Sequence, residues 1–166
     1  GVSAHSTGNK HNFKYITTDY QELLKNNDIN TVFITTRHND HGEKVLTSLK
    51  ADKNVFVEKP LAILESELEE IKDFYANTDK KPVLQVGYNR RFAPLVQAMK
   101  KEAGDLPMSI NYRVNAGVIP KDVWVQDPAV GGGRIIGEAC HFIDTCTFLI
   151  GSLPESVFAS CVTKPD

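Results

Sequence analysis

The run Asn54-Val-Phe-Val57 leads straight into Glu58-Lys59-Pro60, and a lysine in that position has a definite chemical use. Open α/β sheets bind ligands beyond the carboxyl ends of their strands. An ammonium drawn partly out of water there holds its proton less tightly, which suits it to exchanging a proton with a substrate hydroxyl or carbonyl. Glu58 stands beside it to hold its side chain, and Pro60 fixes the turn. The same tetrapeptide also reads as a surface Glu-Lys pair closing a strand before a proline turn.

A second set of reactive side chains recurs at helical spacing. Glu138, His141 and Asp144 fall on one face if the segment is a regular helix. Taken by itself, His141 reads first as a core histidine hydrogen-bonded within its domain. Glu-x-x-His is also a metal-ligand spacing, but no matching pair accompanies it, so no metal is expected. Arg90-Arg91 offers guanidinium forks that grip a carboxylate or phosphate, or pair with surface acids. His41 reads as the start of a helix, Trp124 as packing, and the acidic stretch 65–73 as a solvated helix face. Cys140, Cys146 and Cys161 form no CxxC pair, and buried thiols in a reducing cytoplasm fit them best.

The elements that must position these groups follow from periodicity. Residues 31–36, 54–57 and 83–87 are short, apolar and rich in β-branched side chains, as strands buried on both faces are. Between them, residues 40–50 gather Val45, Leu46 and Leu49 on one side, and residues 65–75 gather Leu68, Ile71, Phe74 and Tyr75. Strand alternating with helix predicts right-handed crossovers and a parallel, doubly wound sheet. A shorter helix over 20–25 follows the capping candidates Thr18 and Asp19. Residues 1–4 read as the end of a strand.

Beyond Arg90 the rhythm changes. A helix is predicted over 93–102, then alternation in Ile110, Tyr112 and Val114 suggests a strand of an open, mainly antiparallel sheet. Gly131-Gly132-Gly133 leads into an apolar helix ending near Ile150, and a strand is predicted over 156–162. The fold class is therefore α/β: residues 1–90 form part of a Rossmann domain, and residues 91–166 begin an α+β domain.

The whole chain narrows the partners. With 166 residues, 41% hydrophobic and 24% charged, it has the composition of a globular protein. A formal charge of -2 without basic tracts gives no attraction to nucleic acid or an anionic membrane. No apolar run approaches the length of a membrane span, and the N-terminus has no secretory pattern. A small-molecule ligand and a cytoplasmic setting are expected.

Thr35-Thr-Arg-His-Asn-Asp-His41, Glu58-Lys59-Pro60, Gly87-Tyr-Asn-Arg-Arg-Phe92 and Gly131-Gly-Gly-Arg-Ile-Ile-Gly-Glu-Ala-Cys-His-Phe-Ile-Asp144 follow one another in a characteristic order. Across nearly the whole chain, their order and spacing resemble the glucose-fructose oxidoreductase, inositol dehydrogenase and MocA family of NAD(P)-dependent oxidoreductases. They further resemble the branch in which this module follows a zinc-alcohol-dehydrogenase-like module in one polypeptide. The resemblance implies a Rossmann domain, a following domain with a large open sheet, NAD or NADP as cofactor, and a sugar or cyclitol substrate. It further implies Lys59 as general acid/base and His141 as its partner, with Thr35, Thr36 and His38 on the nicotinamide side and Glu58 near the ribose. Asn89, Arg90 and Glu138 would border the substrate, and the Lys59-Pro60 bond is often cis in such enzymes.

The chain departs from this pattern in two respects. The family commonly has an aspartate four residues before the histidine, where this chain has Gly137 with Glu138 beside it, so the carboxylate that orients His141 is open. That departure also leaves room for a catalytically silent sugar-binding or scaffold module. No G-x-G-x-x-G turn is present either, since residues 131–133 lie in the second region without the spacing. The expectation is a chain truncated at both ends and inactive by itself, from a parent enzyme that is a homo-oligomer. Residues 4–7 stand about where an acidic residue selects NAD, and they carry neither carboxylate nor arginine.

Overall fold

The computed structural model describes residues 2–161. Thr31–Ile34 (β1), Asn54–Val57 (β2) and Leu84–Val86 (β3) form one parallel sheet in the order β1-β2-β3. Val32 lies opposite Val55, and Val57 opposite Val86. The crossovers are the helices His41–Lys50 (α3) and Glu65–Asn77 (α4), where the apolar spacing places them. Val45 and Leu49, one turn apart on α3, pack with Ile71 of α4 onto Val32, Ile34, Val55 and Val57. Each such side chain, fully buried, contributes about 1.5–3 kcal/mol of transfer free energy.

Burial on both faces of the strands is not what the structure shows. Along β1 only Val32 and Ile34 are buried, while Phe33 is 70% exposed and its ring meets that of Phe56 at 5.2 Å. The reason is positional: α3 packs on the face that Val32 and Ile34 share, and α4 packs on α3.

Helices before the sheet differ in how legible they are. Tyr20–Lys25 (α2) starts where Asp19 accepts a hydrogen bond from the Gln21 amide at 2.9 Å. Residues 2–4 are not the end of a strand but the start of the helix Val2–Lys10 (α1), whose Gly8 sits directly against Ile16. Too short an apolar stretch carries no readable period. Residues 4–7 thus lie on this helix and not in a loop after a strand.

After β3, a single 3-10 turn, Asn89–Phe92, leads to Pro94–Ala103 (α5), with proline in its first turn. Cys140–Ile150 (α6) ends at Gly151 with φ 84°, the left-handed cap glycine tolerates. Residues 108–114 and 156–161 form no strand, which corrects the expected antiparallel sheet; Val162 lies outside the described residues. Alternation alone does not make a strand, because the backbone groups need a ladder partner, and among the described residues neither segment has one. Their side chains remain open, as with Val157 at 86% and Phe158 at 92% exposed.

Candidate active site

The carboxyl end of β2 is threaded between its neighbours. The Glu58 amide donates to Ile34 O at 2.9 Å and the Gly87 amide to Val57 O at 2.8 Å, so Glu58 and Lys59 emerge over the end of the sheet. The Lys59-Pro60 peptide bond is cis. The Lys59 ammonium donates to Gly137 O at 2.7 Å and to Glu138 Oε1 at 3.0 Å, with its side chain 13% exposed. An ammonium has three N–H donors, so these two bonds leave one free.

Both acceptors come from a π-helical turn, Ile135–Ala139, that runs into α6. Wide turns of this kind free backbone groups from the regular ladder and recur at functional sites. They also change the angular spacing. Glu138 lies in the wide turn, whereas His141 and Asp144 both lie on the regular α6; the three do not act as one cluster, since Glu138 meets Lys59, Asp144 meets Arg91, and neither carboxylate bonds His141. The missing aspartate has a steric counterpart, since a Cβ at Gly137 would lie 2.9 Å from Gly131 O and 3.2 Å from His38 Cε1.

His141 is 8% exposed, and its Nδ1 has no partner among the described residues. Burial first, then the positive charges of Lys59 and Arg90, push its pKa below the ordinary histidine value, with Glu138 and Glu58 acting in the opposite sense. The Tyr88 ring meets that of His141 edge-on at 6.3 Å, and burial pushes the Tyr88 phenol up to about 12, so it stays neutral.

The other residues named from sequence take varied places. His38 is buried, its Nδ1 2.8 Å from Gly131 O and its ring 4.8 Å from that of Trp124, and burial leads the causes that lower its pKa. It thus supports the glycine turn from beneath. Thr35 and Thr36 are exposed and line a cleft of about 780 Å³ with Ser3, Thr7, Phe13 and Tyr15. Glu58 packs against Gly87, where an added Cβ would lie 3.1 Å from its carboxylate. Asn89 is exposed, and so is Arg90, whose guanidinium lies 4.9 Å from the Phe142 ring. A threonine-lined cleft of this size fits a nucleotide, and the unpartnered His141 nitrogen fits a ligand hydroxyl.

Sequence reasoning missed several contributors. His41, fully buried, places Nδ1 2.7 Å from Pro60 O and Nε2 3.1 Å from Thr36 O, bracing the turns that carry Lys59 and Thr36. Tyr88 was missed, and Arg91 and Asp144 were each read as groups that could pair without being matched to one another, because only the packing of α6 on the turn after β3 brings them together. Trp124 is packing, as read, although Arg37 also lies over its ring at 5.6 Å. Cys140 and Cys146 are half-buried, whereas Cys161 is exposed, against the expectation of buried thiols.

Comparison with known proteins gives a consistent result. The family model described as "Oxidoreductase family, NAD-binding Rossmann fold" matches residues 3–88. The chain is 29% identical over 157 residues to the uncharacterized oxidoreductase YrbE of Bacillus subtilis, covering 93% of this chain and 45% of that protein. It is 29% identical over 152 residues to the myo-inositol 2-dehydrogenase of Thermotoga maritima, covering 85% of this chain and 42% of the relative. A solved levoglucosan dehydrogenase in complex with NADH and levoglucosan superposes with a TM-score of 0.77 at 27% identity, covering 90% of this chain and 42% of that one. The chain thus spans somewhat under half the length of the relatives it matches.

Proposed function

The chain belongs to the glucose-fructose oxidoreductase, inositol dehydrogenase and MocA oxidoreductase family, with its NAD-binding Rossmann fold, and on that premise we propose that it serves hydride transfer between a nicotinamide cofactor and a secondary alcohol of a sugar or cyclitol. Lys59 is its general acid/base, and His141 partners it. The observation that carries this reading is the Lys59 ammonium, held by Gly137 O and Glu138 with one N–H left for a substrate oxygen.

A bound nicotinamide supplies the two-electron exchange at its C4. Thr35 and Thr36 are placed to hold its side of the cleft, with Glu58 near the ribose. In the oxidising direction Lys59, once it has given up a proton to solvent, takes the substrate's hydroxyl proton. In the reducing direction it returns a proton to the carbonyl oxygen. His141 Nδ1, buried without a partner, is available to a second substrate hydroxyl, and Asn89 and Arg90 border the opening. The alternative of a silent binding module drew on the glycine at position 137. Glu138 brings a carboxylate to Lys59 in spite of it, which favours the enzymatic reading.

Lys59→Ala in the polypeptide expressed from its own gene tests the reading. Turnover of polyols such as myo-inositol with NAD is expected to fall about 10²–10⁴-fold while cofactor binding persists. Unchanged turnover would move the acid/base role elsewhere.

A further inference from the structure

We propose that Arg91 is a positioning residue for His141, acting through Asp144 and the seating of α6 without touching substrate. The inference rests on the role given to His141 above.

No side chain among the described residues bonds the His141 Nδ1, so its ring is aimed by the placement of α6 as a whole. Asp144 lies one turn further along that helix with its side chain 8% exposed. Arg91 donates Nε–H to Asp144 Oδ2 at 3.0 Å and Nη2–H to Oδ1. A two-point fork sets angle as well as distance, which a single bond does not. Arg91 belongs to the turn that follows β3, so the pair ties α6 to the end of the sheet from which Lys59 emerges. Tyr88, just before that turn, stands edge-on to His141, and the Arg91 guanidinium lies 5.5 Å from the Phe148 ring one further turn along α6. Two side chains of one short segment therefore grip three successive turns of the helix. The neighbouring arginines divide their work: Arg91 is spent on Asp144, and Arg90 stays exposed over Phe142.

His141 itself reports whether the latch holds. Burial is the leading cause of its lowered pKa, Lys59 and Arg90 act in the same sense and Glu138 and Glu58 against it, and the neutral Tyr88 phenol stands edge-on to its ring. If α6 loosens, water reaches the ring and its titration moves up.

The experiment is a nuclear magnetic resonance titration of the His141 ring in the parent, in Arg91→Lys and in the double variant Arg91→Met/Asp144→Leu. Replacing both charges leaves no stranded carboxylate, a change that buried ion pairs often tolerate. The double variant is expected to titrate at higher pH than the parent, with Arg91→Lys between them. A purely structural role would lower the urea midpoint without moving the His141 titration. His141 titrating alike in all three proteins would overturn the proposal. Should the double variant not fold, Asp144→Asn is read in the same way, an unmoved titration again overturning it. Retained turnover in Lys59→Ala would sink the catalytic reading alone, because the His141 titration is measured without substrate.

Discussion

Glu138 distinguishes the site at the scale of single residues. It places a carboxylate 3.0 Å from the Lys59 ammonium although the preceding position is glycine. Glu138→Gln keeps an acceptor oxygen and removes the charge that pairs with the Lys59 ammonium. The expected outcome is a fall in kcat of about tenfold to a hundredfold with little change in KM, checked by steady-state oxidation of a polyol. A rise in KM alone would make Glu138 a substrate-binding group only. Histidine protonation supplies a second prediction. His38 and His141 are both held below the ordinary histidine value, chiefly by burial. Below that value the unfolded chain takes up protons that the folded chain resists, so the unfolded state binds more protons and stability falls as pH drops through it. The urea midpoint is therefore expected to be lower at about pH 5 than at about pH 7.5, and this difference should shrink in His38→Asn/His141→Asn. An equal difference in both proteins would show that these rings do not drive it.

Among the elements, the π-helical turn decides which groups meet. Lys59, His141, Thr35 and Thr36 were legible as types at suggestive positions, but the pairing of Lys59 with Glu138 was not. A sequence written out at regular helical spacing puts Glu138, His141 and Asp144 on one face; the wider turn carries Glu138 to Lys59, while Asp144, on the regular α6, pairs with Arg91. The same turn packs Gly137 against Gly131 and His38. Gly137→Asp, which supplies the carboxylate common in the family, is therefore expected to destabilise the chain by about 1–3 kcal/mol, as overpacking does. Thermal unfolding of the variant checks this, and an unchanged Tm would mean that the glycine turn yields freely. Alternation of apolar residues misled at 108–114 and 156–161 for a related reason. Period describes what one face would do once a partner exists, and neither segment has a strand beside it among the described residues.

In the whole molecule, the parallel three-stranded sheet and its crossovers were the most legible feature, because length, β-branched content and helical spacing all agreed from Thr31 to Val86. The hydrophobic core of that unit seats the end of β2, and Leu49 at 1% exposure lies in it. Leu49→Ala is expected to cost about 2–5 kcal/mol of stability, read from urea unfolding, while leaving the spacing of the site residues intact. What no local pattern encoded is the closure of residues 124–144 over the sheet. That closure depends on His38 bonding Gly131 O, Lys59 bonding Gly137 O and Arg91 holding Asp144, contacts that span 93, 78 and 53 residues.

Chemical rescue tests most directly whether Lys59 moves the proton. In the polypeptide expressed from its own gene, Lys59→Ala should lose turnover with NAD and the polyol that the parent oxidises, and added methylamine should restore part of it with a dependence on the concentration of the neutral amine. Cofactor affinity should be unchanged throughout. Turnover at the parent's rate without amine would contradict the assignment of Lys59 as the general acid/base.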